Sequence, residues 1–341
     1  MANEVLRKKL ILIGLNANSY LNRCNISKYL PFMKEISKYG TIGINYSKEE
    51  VTPTEYIDVI KSFEIARNFL KTLDPELLNI FDNLVKDKER FLIHINKDES
   101  SSACFNGIVI LNLKNTINDV YSIIHEFIHK LYLPINTKLD SKETSILSEL
   151  PSLYTELLLN DYIIANYPEY KSDCLKRMND RFNNITTVAT MSYFHILILE
   201  MIKENEELNP DNLVEKVLCI EDEKIKNKIM KKFESFYVEQ TYQSGIDFMM
   251  TFSYVFGIIC SVYIKNNSKN AAETLRKILI LSRDIHHKDD LGKLLKNIDL
   301  KILKRNLKLD NIKLNDMCRV YLLEVLRTYD NLTEEKSYKL Q

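Results

Sequence analysis

The run Ser122-Ile123-Ile124-His125-Glu126-Phe127-Ile128-His129 constrains this chain more than any other stretch. It reads H-E-x-x-H inside an apolar segment with helical spacing. Residues four apart share one face of a helix, so His125 and His129 can grip one metal ion. Glu126 then sits beside that ion, where a base that activates water is needed. Two histidines leave a hydrolytic zinc site one protein ligand short, so a third must come from downstream. The alternative is a helix that merely carries two histidines, because so short a pattern has many chance matches.

The downstream candidate is Ser148-Glu149-Leu150-Pro151-Ser152-Leu153-Tyr154-Thr155-Glu156. Glu149 falls twenty positions after His129, a reach that lets the next helix carry a carboxylate back to the metal. Glu149 and Glu156 are seven apart, two helical turns, and so share a face. A glutamate is ordinarily a solvated surface residue. Beside H-E-x-x-H, Glu149 reads as the third ligand. Glu156 reads as an acceptor for the outer ring N–H of a ligand histidine.

Most of the rest reads as helix. Lys28 to Tyr39 has helical spacing; Leu10 to Leu15 fits a strand or a helix end, and Asn18 to Asn25 a turn. Thr52-Pro53-Thr54-Glu55 and Asp74-Pro75-Glu76 are helix openings, with proline in the first turn. Phe91 to Ile95 predicts a strand, Asn96 to Ser102 a loop, and residues 107–113 the best strand in the chain. Thr116-Ile117-Asn118-Asp119 is a capping pattern opening the histidine helix, Val120 to Tyr132. That strand could offer its edge to an extended peptide. Further helices are expected over residues 142–166, 170–206, 211–240, 248–264, 271–282, 289–303 and 314–328, with 329–341 frayed. The fold class is therefore mainly α, with a small β-sheet next to the histidine helix. Residues 1–90 form an N-terminal helical region and 91–341 a helical catalytic domain.

Composition excludes several classes. Lys plus Arg and Asp plus Glu are both 47, so there is no basic excess for nucleic acid or anionic membranes. Hydrophobic residues at 45% support a buried core, and seven Gly and seven Pro suit helices. Phe248 to Ile264 is short for a membrane span and reads as a core helix, so no stable membrane insertion is expected. The apolar run Leu10 to Ile13 is too short for a secretion signal. Six scattered cysteines with no C-x-x-C pair point to reduced thiols and a cytoplasmic setting.

Ile110 to Glu126, with Glu149 to Glu156, resembles the strand, turn, helix and second glutamate motif of oligoendopeptidase F, a relative of thimet oligopeptidase. Arg181 to Met191 and Phe252-Ser253-Tyr254-Val255-Phe256-Gly257 resemble later segments, and the likeness runs from about Thr52 to about Asn306. The resemblance implies a helical, zincin-like fold in two lobes, one Zn2+ held by His125, His129 and Glu149, and Glu126 as general base. It implies that Tyr254 hydrogen-bonds the substrate or the oxyanion. Glu156, Tyr242 and Asn112 are the candidates for a place behind the metal ligands or at the substrate. The chain departs from the family in three places. Ile128 stands where members have glycine. A histidine near Ser244 is missing, with Met249, Met250 and Phe252 in place of tyrosines, so transition-state stabilisation is expected to be weaker or to come from Tyr242 or Tyr237. The N-terminal lobe is shortened.

These observations imply a zinc-dependent endopeptidase or oligopeptidase, with a cleft open to longer or dedicated peptides. A second copy or a partner protein could close that cleft. The alternative is a zinc-binding peptide module with weakened catalysis. His195 reads as a core residue and His286 and His287 as surface residues.

Overall fold

Asp74 shows how the chain builds its corners. The computed structural model of the protein describes residues 2–24, 36, 56–95, 101–105, 107–132, 148–204, 206, 248–286 and 314–339. Helix α2 (Val59–Leu73) ends at Asp74, whose backbone N–H donates to Leu70 O. The same residue opens α3 (Pro75–Lys86): its carboxylate accepts from Glu76 N at 3.0 Å, with proline in the first turn as expected. Arg276 donates to the other carboxylate oxygen at 2.6 Å. That hydrogen bond, with the Glu76 N–H, outweighs burial and holds the Asp74 carboxyl below the usual carboxylate range. A depressed folded-state value stabilises the fold above the unfolded value of about 3.9 and is lost as pH falls through the folded one. Asp74→Ala is therefore expected to destabilise by about 1 kcal/mol at neutral pH. In urea titrations the gap from wild type should close at acid pH; a pH-independent gap would contradict the assignment.

Helix α2 starts at Val59, later than the expected run that includes Tyr56 and Ile57; the expected opening at Thr52-Pro53-Thr54-Glu55 lies outside the described residues. Tyr56 and Ile57 are not helical, Ile57 N donates to Asn115 O at 3.1 Å, and Asp58 caps the helix by accepting from Lys61 N at 2.7 Å. A second correction concerns the N-terminus. Leu10 to Leu15, read as a strand or a helix end, and the expected turn from Asn18 as far as Cys24 lie within one helix, α1 (Ala2–Cys24), with Leu6, Leu10 and Ile13 buried along one side. The expected elements at 211–240 and 289–303, and that at 28–39 apart from Ile36, lie outside the described residues.

The sheet comprises β1 (Phe91–Ile95), β2 (Ala103–Phe105) and β3 (Ile108–Leu113), in the order β1-β3-β2. β1 runs parallel to β3, and β2 antiparallel with Phe105 opposite Ile108. Gly107 between them has φ 74°, the left-handed value that a two-residue hairpin turn needs. β3 is thus the central strand, paired with β1 over Val109–Leu113 and with β2 over Ile108–Ile110. The expectation that β3 offers its edge to a peptide is overturned where both ladders run, because hydrogen-bonding groups inside a ladder cannot take another strand. Val109, Leu111 and Leu113 are fully buried, and their strand packs against α4 (Asn118–Tyr132).

Asp119 folds the approach to α4. Its carboxylate accepts from Lys114 N at 2.9 Å, Asn115 N at 2.7 Å and Thr116 N at 3.4 Å, the last being the backward reach of a capping box. Helix α4 is then covered by β2, β3, α2, α5 (Leu150–Asn166) and α8 (Ala271–His286). Ile128, where a glycine was noted in the resembling family, is fully buried in this core. Helix α6 (Lys171–Lys203) and α7 (Phe248–Asn267) pack on one another, and α7 also lies against α5. The last helix, α9 (Leu314–Lys339), packs on both α6 and α7 and extends to Lys339, into the stretch expected to fray. Among the described residues, no helix is long and apolar enough to cross a membrane. None of Cys104, Cys174, Cys260 and Cys318 forms a disulfide.

Candidate metal centre

A helix buried on nearly every side has little reason to carry polar residues unless they face one another. On α4, His125, Glu126 and His129 are all buried. The two imidazoles project from one face, with Nε2 atoms 2.9 Å apart. Pro151 lies in the first turn of α5, and Glu149 occupies its N-cap position without a side-chain capping bond. Its carboxylate turns instead toward the histidines, with Oε2 3.5 Å from His125 Nε2 and 3.6 Å from His129 Nε2. Glu149 Oε2 is buried and has no hydrogen-bond partner among the described residues. Ser152 locks the two helices together here by donating to His125 O at 3.2 Å.

The outer ring nitrogens assign the protons. His125 Nδ1 lies 2.6 Å from Glu156 Oε1. Glu156 also accepts from Arg177 at 2.8 Å and Arg181 at 2.7 Å. Burial would raise the Glu156 carboxyl, but the two guanidinium groups and His125 outweigh it and hold it far below the usual range. An ionised Glu156 can only accept, so the His125 proton belongs on Nδ1 and the Nε2 lone pair faces inward. His129 Nδ1 lies 2.5 Å from the Tyr132 hydroxyl, which donates to Ser148 O. With the phenol proton committed to that carbonyl, His129 Nδ1 is the donor to the hydroxyl oxygen and its Nε2 lone pair faces inward.

Three electron-rich atoms thus converge with no proton assigned between them. A tetrahedral zinc with bonds of about 2.0–2.2 Å needs donors about 3.4 Å apart, close to the separations found here. His125, His129 and Glu149 are the one group among the described residues whose ligand atoms meet this way. The field agrees. Burial opposes a positive charge on His125, yet Glu156, Glu149 and Glu126 together raise its pKa above the ordinary value. The residues fit a cation at this point.

Glu126 is not part of the triangle. Burial pushes its carboxyl up, with His125 and His129 opposing. Tyr254, on α7, is half-buried, and the nearby Glu149 charge is the first cause that pushes its phenol well above the ordinary value, so it remains a donor. Gly257 explains how α7 comes so close. A Cβ there would stand 3.3 Å from Glu149 Cβ and 3.0 Å from Leu153 Cδ1.

The structure brings together His125, His129, Glu149, Glu126 and Glu156, with Tyr254 alongside. The Asn112 side chain donates to Ser101 O at 2.9 Å and its backbone N–H to Ser102 Oγ at 3.0 Å, pinning the residues just before β2. Tyr242 and Tyr237 lie outside the described residues. His195 is buried, and burial pushes its pKa down to about 4, as befits a neutral core histidine. Tyr132, Arg177 and Arg181 were not foreseen. Their signal is spacing, with Tyr132 one turn past His129 and the two arginines four apart on one helix face.

No protein-family model matches the chain, and no curated protein matches it. A crystal structure of a candidate peptidase from Chlamydophila abortus is similar, with a TM-score of 0.54 and 16% identity. The match covers 96% of this chain and 57% of that one, so the chain spans little more than half the length of that protein. The likeness shows a shared fold, which in this chain is mainly helical with a three-stranded sheet packed on the histidine helix.

Proposed function

We propose that this protein is a zinc-dependent peptidase of the oligoendopeptidase F kind, cleaving internal bonds of peptides. The observation that carries the reading is the convergence of two imidazole lone pairs and an unpartnered carboxylate oxygen beside a separate glutamate. Zinc held by His125, His129 and Glu149 would supply Lewis-acid polarisation of the scissile carbonyl and a more acidic water. Glu126 takes the proton of the attacking water and passes it to the leaving amine. Tyr254 donates a hydrogen bond to the developing oxyanion. Glu156, anchored by two arginines, holds the His125 ring in place. The strand that aligns substrate is the outer strand β2, which pairs with β3 on one side and packs against α4.

Digestion of a peptide mixture by the purified protein, read by mass spectrometry, tests this. Internal cleavage is expected, abolished by a chelator and restored by zinc. Cleavage that persists in chelator would refute the metal assignment. Zinc bound without any cleavage would favour the peptide-binding module instead.

A further inference from the structure

We infer that Tyr132 is a positioning residue of the metal centre, fixing through one hydroxyl both the ring of His129 and the backbone that delivers Glu149. The inference rests on the reading of this site as a metal centre, but not on what the site cleaves.

Tyr132 is the last residue of α4, one turn beyond His129, and is 1% exposed. The two rings lie with centroids 5.6 Å apart, and the hydroxyl sits 2.5 Å from His129 Nδ1. It also meets Ser148 O. A carbonyl oxygen only accepts, so the single hydroxyl proton is directed there. What the phenol presents to His129 is a lone pair, and Nδ1 must then be the donor. Ser148 directly precedes Glu149. One buried group therefore selects the His129 tautomer and ties the third ligand to the helix bearing the first two.

The two histidines are held differently. His125 leans on an ionised carboxylate backed by Arg177 and Arg181, and His129 on a neutral phenol. A neutral acceptor sets a tautomer less firmly, and a competing arrangement exists. With the proton on His129 Nε2, it could bond to His125 Nε2 across the 2.9 Å gap and occupy the metal position. Tyr132 is what disfavours that arrangement, because adopting it would take the hydroxyl proton from the buried Ser148 carbonyl.

Nitrogen-15 NMR of the histidines in the metal-free protein tests this, together with zinc affinity measured by competition with a chelating dye. The wild type should show His129 protonated on Nδ1. In Tyr132→Phe that ring should move to the Nε2-protonated form, and zinc affinity should fall about 10- to 100-fold. A wild-type His129 protonated on Nε2 overturns the inference, and so does a variant with unchanged tautomer, whatever its affinity. If the variant does not fold, the wild-type tautomer alone decides. Neither readout involves peptide cleavage. A protein that binds zinc tightly and cleaves nothing would sink the peptidase reading and leave this one standing.

Discussion

Glu126→Gln is expected to keep its zinc and its fold while peptide cleavage falls by about 10²- to 10⁴-fold, the usual contribution of a positioned general base. The substitution is nearly isosteric and removes a charge from a buried place. Burial already pushes that carboxyl up, so an uncharged amide should be accepted without loss of stability. The three atoms that face one another come from His125, His129 and Glu149, and none belongs to Glu126. Zinc content by elemental analysis, beside single-turnover cleavage of one peptide, separates the outcomes. A fall in rate with zinc retained supports the base. Parallel loss of zinc would make Glu126 a ligand instead, and an unchanged rate would remove it from the chemistry.

What could be read before the fold was known followed the range of each signal. H-E-x-x-H is local, and a helix delivers its two rings to one face whatever surrounds it. Glu149 and Glu156 needed only two helical turns of shared spacing. The Asp74-Pro75 corner is likewise written in adjacent residues. Strand order is not. β1 and β3 pair in parallel across a connection that includes β2, so β3 becomes central only once the hairpin folds back. The Asn106-Gly107 dipeptide was the available hairpin signal, but β2 is three residues long and lacks a strand's usual run. Arg177 and Arg181 were invisible for another reason. Arginines on a helix are surface residues by default, and nothing local tells that these two point at a glutamate some twenty residues earlier. The same blindness applied to α1, whose polar asparagines read as a turn although the helix runs through them.

Glu156→Ala should be the most destabilising single change at the site. Removing one partner of a buried ionic cluster leaves the others charged and unsatisfied, at a cost of about 3–5 kcal/mol. Glu156 is 3% exposed and has two guanidinium partners, one of them stacked 3.9 Å from the Tyr121 ring centroid. Tyr121 in turn donates to Asn160 at 2.8 Å, so the cluster is fixed from behind as well. Denaturant unfolding of the metal-free variant measures that loss without interference from zinc binding. The more telling variant is the triple Glu156→Leu, Arg177→Met, Arg181→Leu. If the ions only fill space, apolar replacement of the whole set restores both stability and zinc affinity. Buried ion clusters replaced by apolar groups of similar volume are often neutral or stabilising, so stability should largely return. Zinc affinity should not, because His125 Nδ1–H then has no carboxylate to hold its ring, and such outer partners are worth about 10- to 100-fold in metal binding. A triple variant that binds zinc as tightly as wild type would show that Glu156 serves the fold alone. Recovered stability with weakened zinc binding would show that the carboxylate is buried there, between two arginines, for the metal's sake.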